Sequence, residues 1–174
     1  MAFTEFTIFN TSETLLGCIE TALVEAELPR PCRVCVVPGE IVWDDCEGGQ
    51  LVVSTTREFQ SENFPLETLE RGVNSSCGLP YLVAELVFSL TRCVTIPKGL
   101  STSVPCDDLR SDSLLLHRDA YWMRQALSCC LRDMKLGYPE TGLLDYVVSG
   151  VERVGPEGKC AGNVVTVLLG YANG

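Results

Sequence analysis

Pro31-Cys32-Arg33-Val34-Cys35 is the first place to look for chemistry, since a proline followed by two cysteines three apart is half of the zinc deaminase signature. The other half is a His-x-Glu upstream, and the chain's only histidine, His117, lies downstream. In an extended segment a spacing of three sends side chains to opposite faces, so Cys32 and Cys35 would not share a metal without a kink. A thioredoxin-like redox pair needs its CxxC at a strand-to-helix junction, where the dipole lowers the first thiol's pKa. Here the CxxC runs into Pro38-Gly39 and a further extended stretch. A structural zinc on Cys32, Cys35, Cys46 and Cys77 would have irregular spacing and no second CxxC. His117-Arg118-Asp119 spells the kinase catalytic triplet, but inside a predicted amphipathic helix and with no glycine-rich loop or DFG elsewhere. Ser-His-Asp chemistry would have to be built around that same His117, which reads as a polar residue on a helix flank. Gly155-Pro156-Glu157-Gly158-Lys159 is a turn and lacks the phosphate-loop pattern. The expectation is a protein with no catalytic residue, no cofactor and no metal, not an enzyme.

What the residues offer instead is a surface. Residues 31–59 combine apolar runs, a Pro-Gly break, the acidic tip Asp44-Asp45-Cys46-Glu47-Gly48-Gly49 and an alternating return strand. They predict a hairpin whose exposed turn carries Trp43 beside Asp44, Asp45 and Glu47, and these four residues are the candidate assembly interface. Three acids at a turn tip could also take a cation or simply be solvated. Trp43 reads either as core or as the anchor of a partner contact.

The elements that must position this surface follow from periodicity. Thr11 or Ser12 is placed to cap a first helix, with Glu13 in its first turn. Leu15, Cys18, Ile19, Ala22 and Ala26 form its apolar stripe, and Pro29 and Pro31 end it. A strand over about 32–37 and a strand over 50–59 follow, the second alternating Leu51, Val53, Thr55, Arg57 and Phe59 against Val52, Ser54, Thr56 and Glu58. Residues 60–80 are loop-like, and 81–94 is a long strand with Leu82, Ala84, Leu86, Phe88 and Leu90 on one face. Ser111 or Asp112 is placed to cap the longest helix, about 112–135, with Leu116, Ala120, Met123, Leu127, Cys130 and Met134 on its apolar stripe and Arg118, Gln125 and Arg132 opposite. Gly137 and Pro139 stop it. A hairpin closes the pattern, 143–154 and 162–171. Helix, three strands, helix, two strands with short turns predict an α+β fold: a mostly antiparallel sheet, two helices packed on one face, extended β-hairpins, and residues 1–174 as a single domain.

The bulk numbers narrow the classes. The chain has 174 residues, 46% of them hydrophobic and 21% charged, which suits one globular core. Its net charge of -10 speaks against a nucleic-acid backbone as the main ligand, because phosphate binding needs clustered Lys and Arg. MAFTEFTIFN has no basic region and no long apolar run, so no signal peptide is expected. Nothing approaches about 18 uninterrupted apolar residues, so no membrane span is expected. Ten cysteines is a high number, open to three readings: buried small side chains with some free thiols, one or two disulfides, or a zinc site.

Four stretches carry a resemblance: VVPGEIVWDDC, the loop with Phe64-Pro65, the strand ELVFSLTRC from Glu85 to Cys93, and GPEGKCAGNVVTVLLG. Together they span most of residues 30–170, and the chain resembles the tail terminator proteins of long-tailed bacteriophages, particularly the cysteine-rich versions in phages of actinobacteria. The predicted element order suits that family too. The resemblance implies a homohexameric ring in the virion, assembled in the host cytoplasm, that ends tail-tube growth and joins the tail tube protein to the head-to-tail stopper or connector. DNA would pass through its acidic lumen without specific binding. The hairpin over 40–50 and the strands 50–59 and 81–94 are the candidates for strand addition between subunits. Two alternatives stand beside this reading: another head-to-tail joining protein, a stopper or adaptor, and a zinc-binding intracellular module or enzyme. Stoppers tend to be small β-barrels, against which the two long helix patterns speak.

Overall fold

The computed structural model describes residues 6–39, 48–69, 80–97, 103–138 and 140–172. In chain order these form α1 (Thr7–Glu25), β1 (Arg33–Val36), β2 (Gln50–Ser61), β3 (Tyr81–Cys93), α2 (Cys106–Leu136), β4 (Leu143–Glu157) and β5 (Cys160–Ala172). The strands make one five-stranded sheet in the order β1-β2-β3-β5-β4. Every pairing but the first is antiparallel, and the helices pack against the sheet, so the fold is α+β as expected.

Both helices begin earlier than their predicted caps. On α1 the apolar stripe of Leu15, Ile19 and Leu23 extends back through Ile8, and burying Ile8 carries the helix past the hydroxyl pair. Thr11 and Ser12 therefore lie on the inner face. Ser12 Oγ donates to Ile8 O at 2.9 Å, and Thr11 Oγ1 accepts from Tyr171 Oη at 2.9 Å. The 31 residues of α2 start at Cys106, directly after Pro105, with Asp107 and Asp108 in the first turn and Lys135 in the last, both suited to the helix dipole. Asp112 does no capping and instead accepts a hydrogen bond from Thr95 N at 2.7 Å. Ala120, Met123 and Leu127 are buried as the stripe requires, joined by Ala126 and Leu131.

Alternation sets the sheet's two faces. Leu51 and Val53 of β2, the run Ala84, Leu86, Phe88 and Leu90 of β3, and Val165, Val167, Leu169 and Tyr171 of β5 all point toward the helices and are closed to solvent. They join α1 and α2 in one core cluster. β3 and β5 pair without interruption over their whole length, from Tyr81 opposite Ala172 to Cys93 opposite Cys160. β4, the outer strand, is broken by three irregularities against β5, which blunt its free edge.

Two expectations need correction. The hairpin across 31–59 is not formed, because β1 and β2 are neighbours that run parallel, Arg33 level with Gln50 and Val36 with Val53. A tight reversal cannot join parallel strands. Local periodicity locates both strands but carries no trace of their relative direction. Nor can the 81–94 strand take an added strand, since β2 and β5 occupy both of its edges.

Candidate assembly interface

Trp43, Asp44, Asp45 and Glu47 lie outside the described residues, and so do Cys46 and Cys77. What is described is the footing on which their stretch returns to the sheet. Gly49 has φ +79, and a Cβ there would stand 2.1 Å from Thr91 O, so only glycine fits. Its carbonyl accepts from Cys32 N at 3.0 Å, fastening the start of β1 beside the start of β2. Gly48 O accepts from Arg92 Nη1 at 3.0 Å. Arg92 in turn grips Asp119 of α2, Nε to Oδ2 at 2.8 Å and Nη2 to Oδ1 at 3.0 Å, with both side chains almost wholly buried. One arginine thus ties this footing, the sheet and the long helix together.

The triplet at 117–119 acquires a structural meaning here. Three consecutive residues leave α2 in three directions: His117 meets β4, Arg118 Nη2 donates to Ala26 O at 2.9 Å just past α1, and Asp119 holds β3. Arg153 Nη2 stands 2.9 Å from His117 Nδ1. A guanidinium has only donors, so Nδ1 accepts and the ring proton sits on Nε2. Among the described residues no carboxylate orients this ring, which is what a general base would need. Arg153 also donates to Leu116 O at 2.7 Å and to Asn163 Oδ1, while Asn163 Nδ2 donates to Leu116 O at 3.0 Å.

These contacts floor two adjoining clefts between α2 and β4, of about 430 and 470 Å³, which share His117 and Arg153. The first is walled mainly by apolar groups, among them Leu109, Leu116 and Val154. The second is polar and cationic, with Tyr121, Arg124, Gln125 and Val151 around the shared pair. Tyr121 is 62% exposed and rests edge-on against Trp122, ring centroids 5.3 Å apart.

The cysteines divide. Cys18 of α1 is bonded to Cys130 of α2, Cα atoms 6.4 Å apart, and Cys32 is also disulfide-bonded. That removes Cys32 from the zinc set considered above, because a disulfide sulfur is no thiolate ligand. Cys35, Cys93, Cys106, Cys129 and Cys160 are thiols. Among the described residues no group of three or more His, Cys, Asp or Glu is placed to hold a metal, and no helix is long and apolar enough to cross a membrane.

No protein-family model matches the chain, and no curated protein matches it.

The sequence reading missed Arg92, Arg153, Asn163 and Arg124. Three of them carry a signal in hindsight. Arg92 continues the inward phase of Leu86, Phe88 and Leu90, Asn163 that of Val165 and Val167, and Arg153 that of Val151. A polar residue extending an apolar phase needs a buried partner. Arg124, on the outward face of α2, carries no such mark.

Proposed function

We propose that this chain is a structural virion protein, a tail terminator that forms a ring, ends tail-tube growth and joins the tail to the head connector. Its partners are copies of itself, the tail tube protein and a stopper or connector, and DNA passes through the ring without specific binding. The observation that carries the reading is where the resembling stretches fall. ELVFSLTRC is the middle strand of the sheet, GPEGKCAGNVVTVLLG is the β4–β5 turn with nearly all of β5, and Phe64 packs its ring over Gly170, where a Cβ would stand 2.9 Å away. The resemblance therefore lies in the framework of the fold and in its element order, as expected for a protein that works by its surfaces. The open sheet, with β1 and β4 as outer strands, disfavours the closed barrel of a stopper.

Mass photometry of the purified chain, alone and with tail tubes, tests this. A closed oligomer that caps tubes is expected, and Trp43→Ala combined with Asp44→Ala should weaken assembly while cooperative unfolding is kept. A strictly monomeric protein that never caps tubes would overturn the reading.

A further inference from the structure

Most of the described arginines are bound by a carboxylate or, like Arg118 at Ala26 O, by the backbone. Arg30, Arg57, Arg92, Arg110 and Arg132 each meet a carboxylate. Arg124 and Arg153, which both line the second cleft, have no carboxylate partner among the described residues. In a chain of net charge -10 two uncompensated cations facing one cleft are out of keeping with the rest of the surface. Arg153 is held by three neutral acceptors, Leu116 O, Asn163 Oδ1 and His117 Nδ1, so its charge is fixed in place but not neutralised. Such a side chain has already lost its rotamer freedom, which lowers the entropy cost of meeting an anion. Tyr121 adds an exposed ring on the rim, braced by Trp122.

We propose that this cleft, between α2 and β4, is the docking site for the acidic stretch Trp43-Asp44-Asp45-Cys46-Glu47 of a second copy of the chain. The proposal rests on the ring reading above and names the contact that closes the ring. Charge complementarity selects the occupant: the stretch brings three carboxylates and one indole to two guanidiniums and one phenol ring. Arginine pairs with carboxylates through two parallel hydrogen bonds, which fixes orientation as well as affinity. The cleft and the stretch are different parts of the chain, so each copy gives one and receives the other, the head-to-tail arrangement that generates rings when the rotation closes. A nucleic acid is the weaker candidate, because two arginines in a chain of net charge -10 give little phosphate affinity.

The experiment uses the full chain and mass photometry, with circular dichroism and melting temperature as fold controls. Arg124 makes no hydrogen bond that the fold needs, so Arg124→Glu leaves the subunit folded. Arg124→Glu, and separately Asp44→Lys with Asp45→Lys, should each raise the concentration needed for assembly about tenfold or more, and added salt should weaken the wild-type ring. A chain carrying all three reversals should assemble again, since the charges on both sides are exchanged. If the wild type assembles and Arg124→Glu assembles equally well, the docking site is wrong while the ring stands. If each reversal breaks assembly but the combined chain stays monomeric, the two surfaces do not meet and the proposal is overturned. Loss of duplex-DNA binding in Arg124→Glu with assembly unchanged would assign the cleft to nucleic acid instead. A wild type that is monomeric at every concentration removes the ring reading and this contact with it.

Discussion

Arg92 of β3 and Asp119 of α2 form a two-pronged ion pair that is closed to solvent, the arginine 3% and the aspartate 0% exposed. Arg92 reaches inward from the end of the apolar run on β3, and its third nitrogen holds Gly48 O. The pair therefore does positional work as well as satisfying its own charges. A buried ion pair is no simple gain in stability, because taking both charges out of water costs about as much as their attraction returns.

Asp119→Ala should accordingly destabilise the fold by about 3–5 kcal/mol, since it strands a buried guanidinium. Arg92→Met combined with Asp119→Leu should recover most of that loss. Urea unfolding of the single and double variants measures both. Equal losses in the two would mean that a stranded guanidinium is not what makes the single change costly.

Two glycines should respond in opposite directions. Gly49→Ala places a methyl against Thr91 O in a left-handed backbone conformation and should cost about 2 kcal/mol or more. Gly17→Ala, inside α1 with nothing within 4 Å of the new methyl, should stabilise by about 0.5–1 kcal/mol. Thermal melts of the two variants in parallel decide it.

The Cys18–Cys130 bond joins α1 to α2 across a sequence separation of 112. Replacing both cysteines by serine should lower stability by about 2–4 kcal/mol, chiefly by freeing the unfolded chain. The urea midpoint of that variant should not shift further on adding reductant by the amount lost. If wild type and variant unfold at the same midpoint, the crosslink contributes nothing.

Burial pushes the Tyr171 hydroxyl up to about 12, opposed in part by its hydrogen bond to Thr11. The neutral form is favoured in the fold, so this contribution is complete below the unfolded value of about 10 and is lost as pH rises toward 12. Stability should fall by roughly 2–3 kcal/mol across that window from this residue. Tyr171→Phe should flatten the fall, at a cost of about 1 kcal/mol near neutrality for the lost hydrogen bond. Unfolding curves at stepped alkaline pH are the measurement.

Cys93 and Cys160 stand directly opposite on β3 and β5. Because Val94 N donates to Lys159 O at 2.7 Å, the cysteines occupy the non-hydrogen-bonded position, where Cα atoms typically lie about 4.5 Å apart and a disulfide can form. Oxidised glutathione should convert the two thiols to a disulfide, each protein losing two hydrogens as two molecules of reduced glutathione are released. Peptide mapping without reductant should find the crosslink; separate alkylation of both thiols after that treatment would contradict it.

Periodicity was enough to locate every strand and both helices, because each apolar phase, such as Leu86-Phe88-Leu90 or Val165-Val167-Leu169, repeats with its element's own spacing. It could not give the direction of β1 against β2, which depends on a long-range pairing that leaves no local trace. On α1 the buried Ile8 lies upstream of the hydroxyls that marked the cap, whereas the first turn of α2, from Cys106 to Arg110, is exposed and carries no apolar phase to read. The polar framework was legible only as anomalies. Arg92 and Asn163 extend apolar phases, and Asp119 falls on a buried helix face, but which of them would pair is a tertiary matter.

β5 comes fifth among the strands in chain order yet lies between β3 and β4. On a translating ribosome, β3 must therefore wait for α2 and β4 to be made before its second neighbour exists. Until Ala172 emerges, the nascent sheet has a gap beside β3, the inward side chains Val165, Val167, Leu169 and Tyr171 are not all in place, and β3 shows a bare row of donors and acceptors. Through that gap a chaperone or protease would reach inward side chains that the finished sheet closes to solvent.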